Sequence, residues 1–169
     1  MRKFKKVGVG GTFDQLHRGH RILLTKAFEI GERVAIGLSS DELVAKLDKP
    51  HITASYAERQ EGLKTWLSIL GLAQRAEFVP LYDAFGSSIK DSEIQALVVS
   101  EETTPTAQKI NELRSKKELS LLKIFTVSMV RSDNCGPIST TRIRKGEMDR
   151  EGRILKKNKQ KSDQINLTY

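Results

Sequence analysis

A Gly-rich turn joining a strand-like run to a helix-like run constrains this chain more than any other feature. It reads Gly10-Gly11-Thr12-Phe13-Asp14-Gln15-Leu16-His17-Arg18-Gly19-His20 and holds two of the three histidines in the 169-residue sequence. The apolar run Val7-Gly8-Val9 precedes it. Ile22, Leu23, Leu24, Ala27, Phe28 and Ile30 follow at helical spacing. The order is therefore strand, turn, helix, with His17 and His20 at the helix entrance. A helix entrance gathers unpaired N–H groups and the positive end of the helix dipole, so it suits phosphate. Gly10, Gly11 and Gly19 let backbone approach a ligand closely. Two imidazoles three residues apart can then point at one anionic group. The competing readings are a Gly-rich turn without a ligand and a zinc site, but zinc needs further Cys or His ligands. Only Cys135 and His51 remain, so no protein metal site is expected.

The rest of the chain repeats this alternation. Strand-like runs recur at Phe4–Gly10, Arg33–Leu38, Ala76–Leu81, Ala96–Ser100 and Lys123–Val130. Helical patterns cover Arg18–Ile30, Asp41–Leu47, Ser55–Leu70 and Thr106–Lys117. Ser55 and Glu58 have capping-box spacing, and Pro105 stands near a helix start. Alternating strands and helices predict an α/β fold: one Rossmann-like domain with a five-stranded parallel sheet and helices on both faces. Ligands of such sheets bind beyond the carboxyl ends of the strands. The Gly-rich turn, Ser39–Asp41, Ser100–Glu102 and the residues after the fifth strand all fall at that rim.

The stretch Gly11–His20 resembles the G-T-F-D-x-x-H-x-G-H signature of the HxGH nucleotidyltransferase superfamily. Ile138-Ser139-Thr140-Thr141-Arg142-Ile143-Arg144 independently resembles the I-S-[ST]-[ST]-x-I-[RK] motif near the end of the same proteins. Val98-Val99-Ser100-Glu101-Glu102-Thr103, with Ile110-Asn111-Glu112-Leu113-Arg114, is similar to a segment of the archaeal and eukaryotic type of phosphopantetheine adenylyltransferase. Ser40-Asp41-Glu42 and Tyr56-Ala57-Glu58-Arg59 also fit. The resemblance spans residues 4 to 147. Two features depart from that type. Thr104-Pro105-Thr106 stands where an aromatic and a Gly are common, and Ser139-Thr140-Thr141 is a form shared with cytidylyltransferases.

The resemblance implies transfer of the adenylyl group of ATP to 4′-phosphopantetheine, with Mg²⁺ accompanying ATP. It implies catalytic roles for His20, His17, Thr12 and a lysine after the second strand. Lys46 and Lys49 are the candidates, and spacing does not choose between them. It implies ATP contacts from Gly10, Gly11, Thr12, Phe13, His17, Gly19, His20, Ser139, Thr140, Thr141 and Arg142. Acceptor contacts would come from Thr12, Asp41, Ser100, Glu101, Glu102 and Arg114. Asp14 is expected to brace the turn, and His51 to lie on the surface. The competing readings are a cytidylyltransferase or FMN adenylyltransferase of the same superfamily, or a noncatalytic nucleotide- or nucleic-acid-binding module.

The formal net charge is +8, and it is concentrated at the ends. Residues 1–6 carry +4 and residues 142–161 carry +6, while residues 7–141 carry −1. Residues 1–147 are therefore expected to form the domain, and 148–169 a basic, flexible tail. Such a tail can attract polyanions, yet a solubilising role explains it as well, and nucleic acid is not expected as a partner. One cysteine precludes an intrachain disulfide, and no signal peptide or membrane span is evident. A cytoplasmic protein is expected, with no prediction of oligomeric state.

Overall fold

Alternate residues of the first strand set the layering. In β1 (Phe4–Gly11), Val7 and Val9 join one apolar cluster, while Gly8 lies against Leu97 and Ile94 of another. A computed structural model describes residues 3–47 and 52–155. In it β1 is the central strand of five. The remaining strands are β2 (Gly31–Ser39), β3 (Ala76–Leu81), β4 (Ala96–Ser100) and β5 (Lys123–Val127). All pair in parallel, in the order β3-β2-β1-β4-β5.

The chain moves outward from β1 to β3, crosses the sheet, and moves outward again from β4 to β5. The carboxyl ends of β1 and β4 are thus neighbours from which the chain departs in opposite directions, which opens a crevice between them. Helices α1 (Arg18–Ile30) and α3 (Tyr56–Ile69) cover one face through Leu24, Ala27, Phe28, Leu63 and Leu67. Helix α4 (Thr104–Lys116) covers the other through Ala107 and Ile110, packed with Ala35, Leu97 and Leu122. The short helices α2 (Asp41–Lys46) and α5 (Thr140–Arg144) stand at the rim. The capping box at Ser55 and Glu58 is present, with both reciprocal bonds formed. Helix α4 starts two residues earlier than its apolar pattern suggests, because Pro105 fits its first turn. β5 stops at Val127, short of the predicted Val130. Among the described residues no helix is long and apolar enough to cross a membrane.

The domain boundary expected after Glu147 is wrong. Met148 is 1% exposed and bridges Ile154 in antiparallel fashion. The Asp133 N–H donates to the Gly152 carbonyl at 3.0 Å. Gly152 has φ +89°, and a Cβ there would fall 2.6 Å from Ile138. Only glycine meets both conditions. Residues 148–155 are therefore part of the folded body. Met148 is buried, and the charged residues around it are partnered: Arg150 with Gln15, Glu151 with Arg21, and Asp149 with the N–H groups of its own turn.

Candidate active site

His17 is the N-cap of α1, an uncommon choice with a clear reason. Its Nδ1 accepts the Gly19 N–H at 3.1 Å and the His20 N–H at 3.4 Å, satisfying two orphan donors of the first turn. With Nδ1 an acceptor, the ring proton of the neutral imidazole must sit on Nε2. Burial, with a smaller contribution from the nearby Arg21 charge, lowers the His17 pKa to about 4. His17 is thus a neutral N–H donor at pH 7. His20 stacks on it, centroids 3.7 Å apart and 19° from parallel, with the Phe13 ring edge-on to His20. A Cβ on Gly19 would sit 3.1 Å from the His17 ring, a tight approach that would press on the cap.

The preceding turn is strained and braced. Phe13 and Gln15 have φ of +51° and +61°. Non-glycine residues in that region cost about 1–3 kcal/mol each. The Asp14 carboxylate, 1% exposed, accepts two bonds from Arg144 at 2.7 and 2.8 Å. The Thr140 hydroxyl donates to the Asp14 carbonyl at 2.9 Å. From the other side, buried Arg59 donates to the carbonyls of Thr12 and Ala54 at 2.9 and 2.8 Å and to Asp41 at 3.0 Å. The two sequence motifs, far apart in the chain, are thus one bonded unit.

Two cavities meet at this turn. The first, about 600 Å³, is lined by Gly10–Phe13, His17, Gly19 and His20, by Ser139, Thr140 and Thr141, and by Ser100, Glu102 and Thr103 after β4. Val127, Ser128, Met129, Val130 and Ile138 close its far end. The second, about 300 Å³, lies on the α4 face and is largely apolar, with Leu81, Phe85, Ile94, Leu97 and Ala107 in its walls. Gly10, Gly11, Thr12, Leu47 and Thr103 line both.

A cytidylyltransferase-like family model matches residues 9–146. The phosphopantetheine adenylyltransferase of Methanopyrus kandleri is 42% identical over 87% of this chain and 92% of its own. That of Methanosarcina barkeri is 44% identical over 89% and 93%. The chain belongs to the phosphopantetheine adenylyltransferase family. A crystal structure of an Archaeoglobus fulgidus protein superposes with a TM-score of 0.65, at 32% identity over 72% of this chain and 88% of that one.

The site residues that the phosphopantetheine adenylyltransferase family implies are mostly gathered at the first cavity, but Arg114, Arg142, Asp41, Glu101 and Lys46 are not part of its lining. Arg114 is fully buried and donates to the carbonyls of Ser120, Ser88 and Asp91 at 2.7–2.8 Å. It ties the β3–β4 connection to the end of α4 and does not reach the phosphate rim. The Arg142 guanidinium turns outward to Glu147, Asn134, Ser132 and the Pro137 carbonyl, away from the cavity. Asp41 is used in capping α3, where it accepts the Tyr56 N–H at 2.7 Å as well as Arg59. Glu101 accepts the Met129 N–H at 3.4 Å and lies outside the cavity lining, whereas Glu102 is part of it. Lys46 is exposed at the end of α2, next to Leu47. Lys49 and His51 lie outside the described residues.

Sequence reasoning missed Arg59 as a brace. Its position four and eight residues before Leu63 and Leu67, on the buried face of α3, was the available signal. It also missed the second cavity, because the glycines and small residues of its floor carry no pattern of their own.

Proposed function

We propose that this chain transfers the adenylyl group of ATP to 4′-phosphopantetheine, giving dephospho-coenzyme A and pyrophosphate. The observation that carries the reading is Thr12, which stands at the junction of the histidine-lined cavity and the apolar one. A nucleoside triphosphate suits the first. The second suits the dimethyl and methylene parts of the acceptor, with Ser87 and Ser88 at its wall for amide groups. The acceptor phosphate then comes to rest beside Thr12, facing the α-phosphate.

An oxygen of that phosphate attacks the α-phosphorus in line. The new P–O bond forms as the bond to the β-phosphate oxygen breaks, and pyrophosphate leaves with the electron pair. A phosphate dianion is already a nucleophile, so no general base is required. The chain contributes positioning and neutralisation of charge. His17 offers its Nε2–H without carrying charge, and His20 stands beside it at the transferring phosphorus. Ser139 accepts the Arg142 N–H, which leaves its own hydroxyl proton available to a phosphate oxygen. Thr140 spends its hydroxyl proton on Asp14, so its part is to hold α5 against the turn. Mg²⁺, when bound with ATP, would neutralise the phosphates from their own oxygens. With the Asp14 carboxylate engaged by Arg144, the ion would be held mainly by phosphate oxygens and water.

A pyrophosphate-release assay tests this by pairing ATP or CTP with phosphopantetheine, glycerol 3-phosphate or FMN. Release is expected only with ATP, phosphopantetheine and a divalent cation. A preference for CTP with a polyol phosphate would overturn the acceptor and nucleotide assignment while leaving the family intact.

A further inference from the structure

The strained turn has a third brace, supplied by residues that follow the last motif. Arg150 donates from Nε and Nη2 to the Gln15 side-chain oxygen at 3.2 and 2.9 Å. Its carbonyl accepts the N–H of Arg18, the first residue of α1, at 2.9 Å. The next residue, Glu151, pairs closely with Arg21 on that first turn. The Arg150–Glu151 pair therefore grips both sides of His17, the turn before it and the helix after it.

The grip is anchored. The Asp149 carboxylate accepts the N–H groups of Glu151 and Arg153, each at 2.9 Å, which forms a tight turn. That turn ends at Gly152, packed on Ile138, and Ile138 is itself a wall of the nucleotide cavity. Buried Met148 fixes the segment at its start. Residues 12, 14 and 15 are thus each held by an arginine from a different part of the chain: Arg59, Arg144 and Arg150.

We infer that Arg150 is a positioning residue for adenylyl transfer. Acting through Gln15, it keeps the turn in the conformation that sets Thr12 and His17 against the reacting phosphates. The inference rests on the proposed reaction, but its geometric part does not. Gln15 is held in the left-handed region, where nothing in its own chemistry favours it over extended backbone. Releasing its side chain lets the turn relax and shifts the histidines from their working positions. A misplacement of about 1 Å at reacting groups costs on the order of 100-fold in rate.

The test compares Arg150→Ala, Gln15→Ala, the double variant, Arg150→Lys and Gln15→Glu. Arg150→Ala is expected to lower kcat by roughly 10- to 100-fold, with a smaller change in KM for ATP. Gln15→Ala should lower kcat equally, and the double variant no further, because all three remove one bond. Gln15→Glu keeps an acceptor for Arg150 and should hold most of the activity, and Arg150→Lys should recover part. In substrate-free protein, nitrogen NMR of the imidazoles should show altered His17 and His20 signals in both alanine variants. Wild-type kcat with unchanged imidazole signals in folded Arg150→Ala would overturn the inference, as would losses that multiply in the double variant. If Arg150→Ala does not fold, Gln15→Ala against Gln15→Glu decides the same question. A wild-type chain inactive with ATP and phosphopantetheine would overturn the reaction instead, and the imidazole signals would still report on the brace.

Discussion

The Asp14 carboxylate and the Arg144 guanidinium form a two-bond pair, at 2.7 and 2.8 Å, across 130 positions of sequence. Asp14 is buried and the Arg144 side chain is 25% exposed. Removing the arginine leaves a buried carboxylate without its cation, which costs about 3 kcal/mol or more. Arg144→Ala is therefore expected to lower the urea midpoint sharply, and Asp14→Asn to do so less, since an amide can still accept one bond. Equal midpoints for wild type and Arg144→Ala would mean that the pair is a surface ornament.

His20→Ala should leave folding nearly intact and remove most of the activity. Its ring packs on His17 and Phe13, yet it lines the cavity rather than the core. Loss of one charge-stabilising donor costs roughly two to three orders of magnitude in rate. A variant that melts much earlier but turns over normally when folded would make His20 a structural histidine.

Acid should destabilise the protein through His17. Its pKa is about 4 in the folded chain against 6.5 as its ordinary value. Between those limits the unfolded chain binds a proton that the folded chain refuses. Stability is therefore full above pH 6.5 and is lost as pH falls toward 4, by on the order of 3 kcal/mol at the lower end. Thermal melts of wild type and His17→Asn at several pH values test this. Asparagine can still cap α1 but does not titrate, so its melting temperature should vary less over that window.

The segment after α5 should matter to stability as core does. Met148→Ala is expected to cost about 2–5 kcal/mol, in the range for a buried methionine. Truncation after Glu147 should cost more, since it also removes Arg150 and the Gly152 turn. A truncated chain as stable as the full one would restore the boundary that composition suggested.

Most of the fold was legible because each strand is a short apolar run flanked by a helix with a clear start. Both motifs were legible because their residues are local in sequence. Four arginines were not read correctly, for a common reason. A guanidinium on a long stem can face water, a ligand or the interior, and composition counts all three alike. Arg114 lies seven residues after Ala107 and four after Ile110, on the buried face of α4, and that spacing could have placed it in the core. Arg59 had the same kind of signal on α3. Arg142 and Arg150 had none, because their partners lie in irregular segments that no periodicity describes. Met148, one large apolar residue among charges, marked the body's true extent too faintly to outweigh the basic composition around it.

The order in which the braces are joined also has a consequence for synthesis. The chain emerges from its amino end, so the histidine motif is made early and Arg144 and Arg150 late. A nascent chain that has exposed β1, α1 and β2 already carries His17 and His20. It lacks α5, the cavity wall at Ile138, and two of the three arginines that hold the turn. Nucleotide binding should therefore begin only when α5, Arg150 and the Gly152 turn have left the ribosome, and a half-made enzyme should be unable to sequester ATP.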